Sequence, residues 1–214
     1  FAGQPEKTVR LRNERITTGP ATATASKSAT APVSGLLLIQ FETAPTPDQR
    51  KQLADLGVDL LSYVPDDAFI AEANQVPPGK LGALPFVRWV GPFKPEHKIH
   101  SKLTNQAASK GVAIPDLEVS VLLAPRAKAN TTSVARSHFS RIRGQSALLE
   151  GTILRGAIPA SKLRQLADSP AVLWIEPAPH MKLNDEIATK IVAGDDGTNS
   201  TFATVHQLGY TGAG

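Results

Sequence analysis

A chain of 214 residues, 41% hydrophobic and 20% charged, has the composition of a folded polypeptide with room for one or two cores. Its formal net charge of +4 is too modest to argue for a nucleic-acid partner, and without Cys it forms no disulfide and supports no thiol chemistry. No apolar run approaches the roughly 20 residues that a membrane-spanning helix needs, so no membrane partner is expected.

The densest basic stretch, Lys7-Thr8-Val9-Arg10-Leu11-Arg12, lies beside Asn13-Glu14-Arg15 and reads as a solvated leader rather than a nucleic-acid arm. Residues 17–32 are almost entirely Ala, Thr, Ser and Pro, which is linker composition, so 1–34 is expected to be a disordered leader and linker. A first module then occupies 35–99. Its opening run, 36–41, is short, apolar and bounded by Gly35 and Pro45, as a buried strand should be. Thr46 can cap a helix that Pro47 begins, with Leu53, Ala54 and Leu56 apolar and Gly57 as the stop. Residues 58–64 and 68–73 read as strands around the turn Pro65-Asp66-Asp67, followed by a short helix near 80–84 and a strand at 86–93.

After a linker at 100–116, the series starts again over 117–183. It has a strand at 118–124, a helix at 132–143, a strand region at 148–154, a helix at 160–168 and a strand at 172–176. The two Trp fix the register of this repeat: Leu84-Pro85-Phe86-Val87-Arg88-Trp89-Val90-Gly91-Pro92 is echoed by Ser169-Pro170-Ala171-Val172-Leu173-Trp174-Ile175-Glu176-Pro177, with Trp89 and Trp174 85 positions apart. A β-α-β-β-α-β order repeated twice predicts an α+β protein of two tandem ferredoxin-like modules. Each would have an antiparallel sheet with both helices on one face and the other face free for contact. Trp89 and Trp174 are expected at equivalent packed positions of the two last strands.

Little in the chain suggests chemistry. His97, His100, His138, His180 and His206 lack metal-ligand spacing and no HExxH helix exists, so neither a metal nor another cofactor is expected. Asp195-Asp196-Gly197 lacks the alternating oxygen ligands of a calcium loop, and Gly197-Thr198-Asn199-Ser200-Thr201 offers hydroxyls without a base. Asn130-Thr131-Thr132 and Asn199-Ser200-Thr201 are glycosylation sequons, which matter only on a eukaryotic secretory route.

The stretch Val172-Leu173-Trp174-Ile175-Glu176, with the tail through Leu183-Asn184-Asp185, resembles the last strand and tail of the propeptides of subtilisin-like serine proteases. The closing Leu208-Gly209-Tyr210-Thr211-Gly212-Ala213-Gly214 is similar to the segment entering that family's catalytic domain, just before its catalytic aspartate. The resemblance covers residues 36–214 and implies a tandem propeptide, with 184–214 as linker and lead-in to a catalytic domain. It implies that the propeptide sheet packs on two protease helices, that acidic groups cap those helices, and that the tail lies in the substrate cleft.

Glu176 matches the capping acid, with Trp174 beside it as a second protease contact. His180, Met181, Lys182, Leu183 and Asn184 would form the inhibitory tail and processing region. The first copy carries Gly91 in place of the acid, and Pro177 and Pro179 remove a second acid and two backbone donors. No His-Gly-Thr or Gly-Thr-Ser-Met-Ala motif is present, so this chain alone is expected to have no catalytic residues and no peptidase activity. The resemblance further implies secretion, a signal segment upstream of Phe1, and a cognate subtilisin-like catalytic domain as partner. Two other readings share the topology. One is a free-standing inhibitor or interaction module. The other is a tandem RNA-binding protein, against which neither Ser120-Val121-Leu122-Leu123 nor Ala68-Phe69-Ile70-Ala71 offers a basic, aromatic base-stacking strand.

Overall fold

In the computed structural model, which describes residues 6–18, 31–108 and 116–178, the protein is a mixed α+β structure built on antiparallel sheets. A hairpin of β1 (Lys7–Arg10) and β2 (Arg15–Thr18) precedes the first four-stranded sheet. That sheet comprises β3 (Val33–Phe41), β4 (Val58–Val64), β5 (Ala68–Val76) and β6 (Val87–Pro92), with α1 (Pro47–Asp55) and α2 (Pro78–Gly82) in its connections. A connector containing a 3-10 turn (Pro95–Lys98) leads to α3 (Ser101–Ala108). The second sheet comprises β7 (Leu117–Leu123), β8 (Arg141–Leu148), β9 (Gly151–Ile158) and β10 (Val172–Pro177), with α4 (Ala129–Ser137) and α5 (Leu163–Asp168) in its connections.

The two sheets have the orders β4-β5-β3-β6 and β10-β7-β9-β8. In each, the first strand of the set lies between its fourth and third, and the second is at the edge. Every pairing is antiparallel. Alternation along β3 sends Leu37, Ile39 and Phe41 to one face, where they pack with Leu53 of α1 and Leu81 of α2. Along β7 it sends Leu117, Val119, Val121 and Leu123 toward Ala135 of α4 and Leu163 and Leu166 of α5.

Local chemistry sets several boundaries. Thr46 and Gln49 form a reciprocal capping box: the Gln49 backbone N-H donates to Thr46 Oγ1 at 3.3 Å, and the Thr46 N-H donates to Gln49 Oε1 at 2.9 Å. After α1, Gly57 adopts φ +86°, a left-handed conformation that a side chain resists. Asp66 and Asp67 turn the chain from β4 to β5 with φ of 69° and 58°, a region Asp tolerates better than most residues.

Five expectations are corrected. Within the stretch expected to be a disordered leader, residues 7–18 form the hairpin that covers the outer face of the first sheet. Val9 is fully buried there with Leu38, Trp89 and Phe93, so that face is not free. The linker at 100–116 contains α3, whose Leu103 enters the core of the second sheet. The helix expected over 132–143 ends at Ser137, and the single strand region at 148–154 is a hairpin, β8 and β9. The Ser140 N-H already donates to the Ala157 carbonyl, and once the ladder begins there, helical pairing is lost.

Candidate functional site

Trp174 and Glu176 alternate with core residue Ile175 on β10 and so share the face of the second sheet that points away from its helices. The structure brings these two sequence-predicted residues together. Trp174 Nε1 donates to Glu176 Oε2 at 3.0 Å, with the indole 9% exposed and the carboxylate side chain 44% exposed. The predicted tail residues, His180 to Asn184, lie outside the described residues, as do His206, the acidic turn at 195–197 and the Asn199 sequon.

Trp174 and Glu176 already have an intramolecular partner. Arg12, between the hairpin strands, places its guanidinium carbon 5.0 Å from the centre of the Trp174 ring and its Nη1 3.8 Å from Glu176 Oε2. His100 meets the same indole edge-on at 6.1 Å. Beside Arg12, Asn13 Nδ2 donates to the carbonyls of Glu96 and Ile99, the latter at 3.0 Å. Glu14 accepts from His97 Nε2 at 3.1 Å.

His97 is buried, and its Nδ1 accepts from the Lys94 N-H at 3.0 Å, so both ring nitrogens are engaged and neither can activate a nucleophile. Burial pushes its pKa below the ordinary imidazole value, opposed by the charges of Glu14 and Glu96. Lys98 is buried, donates to the Ser169 carbonyl at 3.0 Å and lies 5.5 Å from the Phe93 ring centre. Burial lowers its pKa to about 8.

Between the hairpin, the end of β4 and the second sheet is a cleft of about 180 Å³, lined by Arg12, Tyr63, Phe93, Leu122, Glu150 and Trp174 among others. Beyond it, the outer face of the second sheet carries Glu118 on β7, which pairs with Arg143 at 2.6 Å and Arg141 at 3.6 Å. Both arginine side chains are more than half exposed, and Leu148 at the end of β8 is 50% exposed. Among the described residues, no group of three or more His, Cys, Asp or Glu side chains is placed to hold a metal ion. Nor is any described helix long and apolar enough to cross a membrane.

Residues 10–94, less than half of the chain, match a family described as "Domain of unknown function (DUF8729)". No curated protein and no solved structure matches the chain. The family match begins inside β1, takes in β2, and ends two residues after β6, so it spans most of the hairpin together with the sheet the hairpin covers.

Sequence reasoning missed Arg12, Asn13, Glu14 and His97. A signal was present in Gln40, a polar residue inside an apolar strand. Gln40 is fully buried on the outer face, where its amide donates to the Asp66 carbonyl at 2.9 Å and Thr18 Oγ1 bonds to its carbonyl oxygen. A buried amide needs such partners, so its position in the sequence implied that a polar segment covers the face.

Proposed function

We propose that this chain is the propeptide region of a secreted subtilisin-like serine endopeptidase, acting as intramolecular chaperone and autoinhibitor. On this reading the two sheets are tandem ferredoxin-like modules, which their shared strand order and one-sided helices support. The observation that carries the proposal is the asymmetry of the two outer faces. The first is covered by the hairpin, whereas the second presents Glu118, Arg141, Arg143 and Leu148 to solvent, with Trp174 and Glu176 on the last strand before the tail. A carboxylate on such a face suits a helix N-terminus, which offers unsatisfied N-H groups and a positive dipole end. An extended tail beyond β10 would add strand-like pairing in a protease cleft. Binding only the compact form of the catalytic domain would favour its folding.

The test is inhibition of the mature subtilisin-like protease encoded with this chain. Glu176→Ala should raise the inhibition constant by about 2-fold to 30-fold, the equivalent of roughly 0.3 to 2 kcal/mol for a lost charge-to-dipole contact, and by more than Glu118→Ala does. Deleting residues 179–197 should greatly reduce inhibition while circular dichroism remains that of a folded protein. Absence of inhibition by the intact chain would refute the proposal, and equal effects at 176 and 118 would remove Glu176 from the contact.

A further inference from the structure

The hairpin contacts both halves of the molecule, and the chemistry of its body differs from that of its tip. The body belongs to the first sheet. Lys7 Nζ donates to Asp67 at 2.9 Å and to the Glu42 carbonyl at 2.6 Å, while Arg10 forks onto Asp66 through Nε and Nη2, both at 2.7 Å. Val9 is buried against Leu38 and Trp89 beneath these pairs. The tip reaches past that sheet: Asn13 and Glu14 hold the connector at Glu96, His97 and Ile99, and Arg12 stacks on Trp174 and pairs with Glu176.

The connector is itself fixed to the second sheet. Glu96 pairs with Arg164 at 3.2 Å, Lys98 donates to Ser169, Ile99 forms a parallel bridge with Ile175, and the His100 N-H donates to the Ile175 carbonyl at 2.9 Å. The tip therefore grips a segment already fastened to β10 and also touches β10 directly. We infer that the hairpin is a clasp: anchored on the first sheet, it holds the second sheet in one orientation and keeps the Trp174–Glu176 patch occupied until its tip releases. The Arg12–Glu176 pair is individually weak, because Arg12 is largely exposed and Glu176 nearly half exposed. The clasp works because the contacts are made together by one short loop, so releasing one does not free the others. The inference stands on intramolecular geometry and does not depend on the proposed protease reading.

The test needs no partner. The chain lacks Cys, so Gln52→Cys on α1 and Ser133→Cys on α4, both exposed, accept spin labels only at those sites. Double electron-electron resonance then reports the separation of the two halves. In parallel, Trp89→Phe leaves Trp174 as the only indole, and acrylamide quenching reports its cover. Each background is compared with the same protein carrying Arg12→Ala, Asn13→Ala and Glu14→Ala together.

The clasp predicts a narrow distance distribution that broadens in the triple variant and a Trp174 quenching constant that roughly doubles when the guanidinium is removed. If the triple variant fails to fold by circular dichroism, Arg12→Ser, Asn13→Ser and Glu14→Ser together, which remove the same contacts while keeping polar groups in the turn, are read in its place against the same expectations. An unchanged distance distribution overturns the inference even if quenching rises, since the tip would then cover Trp174 without holding the halves together. Unchanged quenching overturns it too, because Arg12 would not be occupying the patch.

Discussion

Trp89 and Trp174 occupy last strands of the same rank, on faces pointing away from the helices, yet their surroundings differ. Trp89 lies under the hairpin with Val9, and its ring extends over Gly91, where a β-carbon would collide with the indole. Trp174 has Glu176 at the matching position and donates to it, with Arg12 as the outer layer. A single change of residue type two positions after the Trp separates an indole folded into a core from one held at an ion pair. Repeated topology thus does not imply repeated surface, because the outer face of each sheet is finished by a different segment.

The sharpest way to break this comparison is to exchange the two residues. Gly91→Glu forces a carboxylate against a buried ring and should cost about 3 to 5 kcal/mol in urea unfolding, through overpacking and an unpaired charge. Glu176→Gly removes a half-exposed contact and adds backbone freedom in a strand, so it should cost only about 1 kcal/mol. Similar losses at the two sites would show that the two Trp environments are energetically alike.

Lys98, where the connector meets α5, gives a smaller effect of opposite sign. Its folded pKa of about 8 lies below the ordinary 10.5 because burial disfavours the charged form. Below pH 8 the ammonium is charged in both states and the cost of burying it is fully present. As pH rises from 8 toward 10.5, the folded protein sheds the proton first and gains relative stability. Lys98→Met should therefore stabilise the protein at pH 7 by on the order of 1 to 3 kcal/mol, with the advantage shrinking by pH 10. Urea midpoints at the two pH values decide this.

His97 sharpens the comparison from the acid side. Because its pKa is lowered by burial, the stability it contributes is present above the ordinary imidazole value of 6.5 and is lost as pH falls through the lower folded value. Glu14, Glu96 and Lys94 face the ring, and the two carboxylates moderate the loss without reversing it. Thermal midpoints should decline from pH 7 to pH 5, and His97→Gln should flatten that decline. A midpoint that rises toward pH 5 would contradict the assigned direction. The smallest effect is expected for Arg126→Ala, which breaks an exposed pair with Asp59 between the two halves and should change stability by less than about 0.5 kcal/mol.

What was legible in the sequence is what short-range chemistry controls. Thr46, Pro47 and Gly57 mark α1 because capping and backbone preference act within a few residues, and the alternation in β3 and β7 follows from having one buried face. The end of α4 was misplaced because residues 138–143 satisfy helix and strand patterns alike until Ser140 pairs with Ala157. The hairpin was missed because its evidence is long-range. Val9 and Ile16 look unremarkable until Leu38 and Trp89 are placed against them, and the carboxylates that fix Lys7 and Arg10 lie 60 and 56 positions downstream. At the candidate site, proximity of Trp174 and Glu176 followed from their spacing on one strand, whereas Arg12 came from the far end of the chain.

That distance has a consequence for the order of events during synthesis. Residues 7–18 are made before the segments they bind: Asn13 needs the Ile99 carbonyl, 86 residues later, and Arg12 needs Glu176 on the last described strand. The hairpin tip must therefore wait for a strand made long after it. Contacts of such long separation carry a closure cost and form only when both ends exist, so the tip between β1 and β2 is made before its partners and seated after them. Until β6 is made and the hairpin body closes over it, the outer face of the first sheet remains exposed on a nascent chain, and the tip stays unseated until β10 follows; that interval is when this molecule is most open to aggregation or to the help of a chaperone.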